Sequence, residues 1–213
     1  SASRGAFYMP PPDNRSPGTY FLASTPKLQP LYNLEALSLH EAIPGYHLQN
    51  AIAMELDVPE FRRTLSHSAF GEGWALYTER LGKEAGFYQS PYSDFGRLGY
   101  EMWRAGRLVV DTGIHAFGWS RQKAIDYLAS HTALPQSAVE DQIDRYISWP
   151  GQALSYKMGE IKIRELRAKA EKELGTQFDI RSFHDTVIGQ GSLPMAVLED
   201  VINDWIAEQK PVS

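Results

Sequence analysis

Proline and glycine cut this chain into pieces of helix length. Breaks fall at Pro59, Ser90-Pro91, Pro135, Trp149-Pro150-Gly151, Gly175 and Gly191-Ser192-Leu193-Pro194. Proline inside a helix removes a backbone donor and clashes with the preceding turn, so each break separates elements. Between the breaks, apolar residues recur at helical spacing over 33–56, 60–86, 94–117, 120–130, 136–149, 152–174, 179–189 and 194–208. The first thirty residues read differently. Pro10-Pro11-Pro12 forbids helix, while Ala6-Phe7-Tyr8-Met9 and Gly18-Thr19-Tyr20-Phe21-Leu22 have strand character. The expected fold is mainly α: an extended or β segment over 1–30, giving a small β-hairpin or edge strand, followed by one helical domain over 31–213.

Composition narrows the function classes. The formal net charge is −5 and there is no basic cluster, which argues against a nucleic-acid partner. The chain has no cysteine, so disulfides and thiolate chemistry are excluded, while the compartment stays open. No apolar run approaches the roughly 20 residues that span a bilayer.

The run His40-Glu41-Ala42-Ile43-Pro44-Gly45-Tyr46-His47 carries the chemistry. Without Pro44, Gly45 and Tyr46 it becomes His-Glu-x-x-His, in which two histidines one turn apart hold a metal and the glutamate activates water. Seven positions apart, His40 and His47 on a regular helix stand about 10.5 Å apart along the axis. Zinc needs each ligating nitrogen at about 2.0–2.1 Å. A three-residue bulge at Pro44-Gly45-Tyr46 is therefore expected, shortening the distance and making His40 and His47 joint ligands. Glu72, in Phe70-Gly71-Glu72-Gly73-Trp74, is the expected third ligand on a second helix. Two histidines and a glutamate leave a position open for water, as in catalytic sites. Glu79 lies seven residues beyond Glu72 on the same helix face. It is a rival ligand, a partner that orients a histidine through its second ring nitrogen, or a solvated charge.

Two further residues are candidates for the donor that stabilises an oxyanion. Tyr156 is the first choice, on a helix that Pro150-Gly151 starts and that also presents Gln152 and Lys157. His115 is the second; Asp111, four residues before it, offers a partner on one helix face, which reads equally as scaffold. His67, His131 and His184 read as helix caps, helix ends or packing residues.

The strings HEAIPGYHLQ, GEGWALYTERL, RAGRLVVDTGIHAFGWSRQKAIDYL, RYISWPGQALSYKMGE and FHDTVIGQGSLPMAVLE cover most of residues 36–200. Through them the chain resembles the bacterial domain of unknown function 885 family, which looks like a branch of the gluzincin zinc metallopeptidases. The resemblance implies a helical fold of zincin type, one Zn²⁺ per chain and a peptide substrate. It also implies a long N-terminal region in the whole protein, which packs against this C-terminal, motif-bearing part. Many relatives carry histidine at both positions after Pro-Gly, whereas this chain has Tyr46 and then His47. The expected function is zinc-dependent hydrolysis of peptide bonds: His40, His47 and Glu72 hold the metal, and Glu41 is the general base. The alternatives are a zinc hydrolase of non-peptide amides or esters, and a metal-free binding relative. An edge strand at residues 18–23, bordering the metal and docking the peptide backbone, is a further expectation.

Overall fold

The computed structural model describes residues 6–11, 18–22 and 30–210. The two extended stretches pair as expected. β1 (Ala6–Met9) and β2 (Thr19–Leu22) form an antiparallel ribbon with Tyr8 opposite Tyr20. Residue 23 of the expected edge strand lies outside the described residues.

From Leu31 to Lys210 the chain is helix or short connection, so the fold is mainly α with a small N-terminal sheet. The elements are α1 (Leu34–Glu41), α2 (Tyr46–Glu55), α3 (Glu60–Thr64), α4 (Ser68–Glu84), α5 (Pro91–Phe117), α6 (Arg121–His131), α7 (Gln136–Ser148), α8 (Ser155–Leu174), α9 (Ile180–Ile188) and α10 (Met195–Gln209). Several ends follow local chemistry. Ser90 caps α5 by accepting from the Ser93 N–H, with Pro91 in the first turn, and Gly118 closes that helix in the left-handed region. Ser120 and Asp179 cap α6 and α9 in the same way.

Two expected helices are corrected. The 60–86 segment divides into α3 and α4, because the link between them is tied to a distant loop: the His67 N–H donates to Ser192 Oγ, and Arg62 donates to the Gln190 carbonyl. The 33–56 segment divides at the chemical motif itself.

Three apolar clusters surround the centre. α4, α8, α9 and α10 bury Phe70, Trp74, Ile163, Leu166, Phe183, Leu198 and Ile202. α5, α6 and α7 bury Val110, Ile125, Leu128, Val139 and Ile143. α1 buries Ala36, Leu37 and Leu39 against Tyr88 and Tyr100, with Tyr20 of the ribbon packed on the outside. The closest crossing is α4 on α8, where Gly73 and Gly159 meet backbone to backbone. A Cβ at Gly73 would lie 2.5 Å from the Gly159 carbonyl carbon, and one at Gly159 would overlap the Ala69 carbonyl oxygen. That crossing sets α4 and the start of α8 side by side and brings their polar residues to the end of α1.

Candidate active site

The expected bulge is a full break. α1 ends at Glu41, residues 42–45 turn with a cis Ile43–Pro44 bond, and α2 starts at Tyr46. Proline stops the helix, and Gly45 lets the chain fold back: a Cβ there would overlap the carbonyl oxygens of Leu39 and His40. α4 holds the turn in place. Trp74 Nε1 donates to the Pro44 carbonyl at 2.8 Å, and Thr78 Oγ1 to the Leu39 carbonyl at 2.8 Å.

The break decides which side chains meet His40. Tyr46, first in α2, turns back to it, with ring centroids 5.6 Å apart and edge-on. His47 follows about 100° further round the helix and faces β1. Its Nδ1 lies 3.2 Å from the Tyr8 hydroxyl.

His40 itself is buried and held on both ring nitrogens by α4. Its Nδ1 donates to Glu79 Oε1 at 2.7 Å, and its Nε2 lies 3.7 Å from Glu72 Oε2. The seven-residue spacing on α4 thus delivers one carboxylate to each side of the imidazole. Arg104 of α5 closes the far side, 3.0 Å from Glu79 Oε1. Burial pulls the His40 pKa down, but hydrogen bonding to Glu72 and Glu79 outweighs it and lifts the value to about 9.

Glu72 sits in a ring of donors. Gln152 Nε2 donates to its Oε1 at 3.2 Å, and the hydroxyls of Tyr46 and Tyr156 bond to it as well. Burial alone raises its pKa; the bonds from His40, Tyr46 and Tyr156 reverse this and hold it below the usual carboxylate value. Burial, followed by the Glu72 charge, pushes the Tyr46 phenol well above its ordinary value, so it stands protonated beside Glu72. Glu41 accepts from the Tyr8 N–H at 2.9 Å. Its pKa is raised, chiefly by burial, although the His40 charge and the Tyr8 N–H act against it.

Of the expected donors, His40 and Glu72 meet and His47 does not join them. Among the described residues, no three His, Cys, Asp or Glu side chains are grouped to hold a metal ion. The pair itself fits two corners of a zinc site. Tetrahedral zinc with bonds near 2.0–2.1 Å sets its donors about 3.4 Å apart, close to the 3.7 Å here. A carboxylate on the opposite ring nitrogen is the usual support for a metal-bound histidine.

The oxyanion candidates separate. Tyr156 is in the site, its ring stacked 6.3 Å from His40 and 4.2 Å from the Arg107 guanidinium. His115 is exposed, with Nε2 donating to the Tyr146 carbonyl at 2.9 Å. Asp111 does not pair with it and accepts instead from the Gly151 N–H. Lys157 pairs with Glu101 and Glu160.

β1 also reaches the motif, through the backbone N–H and the hydroxyl of Tyr8, while Tyr20 of β2 feels the Glu41 charge. Nothing local marks Tyr8 for this role, since its partners lie 33 and 39 residues away. Tyr46 was legible in principle, because Pro-Gly ends a helix more readily than it bulges one.

Comparison with known proteins follows the same outline. No functionally curated protein matches the chain. A crystal structure of a candidate lipoprotein from Colwellia psychrerythraea superposes with a TM-score of 0.94 at 42% identity, over 97% of this chain and 36% of that one. A candidate lipoprotein of unknown function from Shewanella oneidensis shares the fold, with a TM-score of 0.82 at 23% identity over 93% of this chain and 38% of that one. The chain therefore spans little more than a third of either structure. The model of a family of bacterial proteins of unknown function, DUF885, matches residues 1–202, and the chain belongs to that family.

Proposed function

We propose that this chain carries the catalytic helices of a zinc-dependent peptidase that hydrolyses amide bonds with Glu41 as general base. The observation behind this reading is His40, fixed on both ring nitrogens by carboxylates of one helix, with Glu41 next to it in sequence. His40 and Glu72 would hold the metal, with His47 the third donor expected from the sequence. Bound zinc supplies Lewis acidity toward the scissile carbonyl and brings the pKa of water to about 7.

The protein's own groups do the rest. Tyr8 anchors Glu41 Oε2 and so fixes the carboxylate at the edge of the site. Burial raises the Glu41 pKa, which suits a group that takes a proton from the attacking water and returns it to the leaving amine. The Tyr156 hydroxyl, directed at Glu72, is the donor for the oxyanion. His115 is engaged by the Tyr146 carbonyl, which favours Tyr156 for this role.

Glu41→Gln should keep its zinc and lose about 10²–10⁴-fold in the rate of peptide hydrolysis. Quenched fluorescent peptides and metal analysis on the same sample measure both. Full activity in the zinc-loaded variant removes Glu41 from the role. A panel of small amides and esters assayed alongside separates a peptidase from a hydrolase of other substrates.

One observation favours a second reading, a metal-free binding protein: Glu72 is already satisfied by Gln152, Tyr46 and Tyr156. Metal content after purification without a tag decides between the two. About one zinc per chain supports the peptidase, and none supports the binding protein.

A further inference from the structure

The polarity of α5 is inverted. Its six charged side chains are all engaged within the chain and none is exposed. Asp94 pairs with Lys83, Arg97 with Glu101 and Arg104 with Glu79, while Arg107 donates to the Tyr146 hydroxyl and Asp111 accepts from the Gly151 N–H. From Pro91 to Ile114, every exposed residue of the helix is apolar or aromatic. Tyr92 is 77% exposed, Leu98 51% and Met102 50%. Phe95, Leu98, Met102, Ala105 and Val109 follow one another in steps of three and four, which sets them in one stripe along the outer face. Tyr32 widens the stripe, edge-on to Phe95 at 5.7 Å. A Cβ at Gly99, on the same face, would meet nothing within 4 Å.

An exposed apolar patch of a few hundred Å² marks an interaction site, and steps of three and four suit a second helix crossing at about 20°. We infer that the outer face of α5 is a seam for a helix of the additional polypeptide that the matched solved structures carry. The inner face of α5 reaches the candidate active site, where Arg104 pairs with Glu79 and the Arg107 guanidinium lies 4.2 Å from the Tyr156 ring centre. α5 thus stands between the seam and the chemistry. The inference does not depend on a metal.

Three observations select this occupant. The Colwellia psychrerythraea structure matches 97% of this chain with 36% of its own length, so most of that polypeptide remains to be placed around the shared fold. The stripe from Tyr92 to Val109 measures about 26 Å by about 10 Å, on the order of 260 Å². A separate partner or a second copy needs about 800 Å² a side, whereas a tethered helix meets the seam at an effective concentration in the millimolar range. Lipid fits less well. Interfacial helices carry lysine and arginine on their polar face, while α5 exposes neither and the chain has a net charge of −5.

Paired glutamates in two proteins test this. In the 213-residue chain, Leu98→Glu with Met102→Glu should leave the thermal midpoint within about 2 °C of wild type, the range of a surface change. In the intact Colwellia psychrerythraea protein, glutamate at the two positions that superpose on Leu98 and Met102 should lower the midpoint by more than that, because both charges fall under the covering helix. A loss in the longer protein alone upholds the seam. No loss in either protein overturns it, since the face is then open to water in both. A loss in both overturns it too, since the two positions then belong to the core of this chain. Sedimentation velocity and flotation with phosphatidylglycerol vesicles, on the 213-residue chain and its double variant, address the other occupants. The chain should sediment as a monomer and stay off the vesicles. A dimer that the double variant abolishes makes a second copy the occupant, vesicle binding that it abolishes makes the occupant lipid, and either result overturns the assignment.

Discussion

At the scale of single residues, the site is organised by His40 and by what α4 places on either side of it. Glu79 is 1% exposed and Arg104 4% exposed, and they pair at 3.0 Å. Buried charges are tolerated only when matched, and removing one partner strands the other. Glu79→Ala should therefore destabilise the chain by about 3 kcal/mol, measured by urea unfolding. Arg104→Met combined with Glu79→Gln should recover much of that loss, because no unpaired charge remains. A Glu79→Ala loss no larger than an ordinary surface change would mean that Arg104 finds water in the folded state. The arithmetic of this helix was legible beforehand: Glu72 and Glu79 share one face. That they grip the same imidazole from opposite sides was not, because it depends on where α1 ends.

At the scale of elements, the crossing of α4 and α8 brings the chemistry together. Glu72 and Glu79 ride on α4, while Gln152 and Tyr156 lie at and just before the start of α8. Gly73 and Gly159 let the two backbones touch. Gly159→Ala should cost about 3 kcal/mol, the upper end for overpacking, because the obstacle is the Ala69 carbonyl and not a movable side chain. It should also loosen the Gln152–Glu72 contact. Thermal unfolding reads the first effect. A stability within about 0.5 kcal/mol of wild type, the range of an ordinary surface change, would show that the helices can separate freely. Helix spans were well marked in the sequence by Pro59, Pro91, Pro135 and Pro150. The division at 42–45 was not assigned, although Pro44-Gly45 marks it. The same dipeptide admits a bulge or a break, and only the bonds from Trp74 and Thr78 of α4 select the break.

At the scale of the whole molecule, His184 reports on the assembled core of α4, α8 and α9. Its Nε2 accepts from the Tyr77 hydroxyl at 2.7 Å, and Tyr77 in turn accepts from Arg167. Burial, with Arg167 adding to it, lowers the His184 pKa from 6.5 to about 4. The folded state thus refuses a proton that the unfolded chain accepts. Stability from this group is complete above pH 6.5 and falls as the pH drops from 6.5 toward about 4. The loss should be on the order of 1–2 kcal/mol once solvent screening at this half-buried ring is included. Urea unfolding between pH 5 and 7 should show the slope, and His184→Gln should flatten it; an unchanged slope would place the acid sensitivity elsewhere. By itself the sequence determined the helical class, the short N-terminal strands, most helix ends, and the presence of His40, Glu41, Glu72 and Tyr156 as chemical candidates. These follow from local rules: apolar period, proline and glycine placement, and residue type. Tertiary structure alone decided which of them touch. Tyr8 reaches Glu41 and His47 across 33 and 39 residues, and Tyr46 rather than His47 faces Glu72. A turn of about 100° between neighbouring helical residues is enough to exchange one for the other, and that rotation is set by packing against α4, which no local pattern in residues 40–47 encodes.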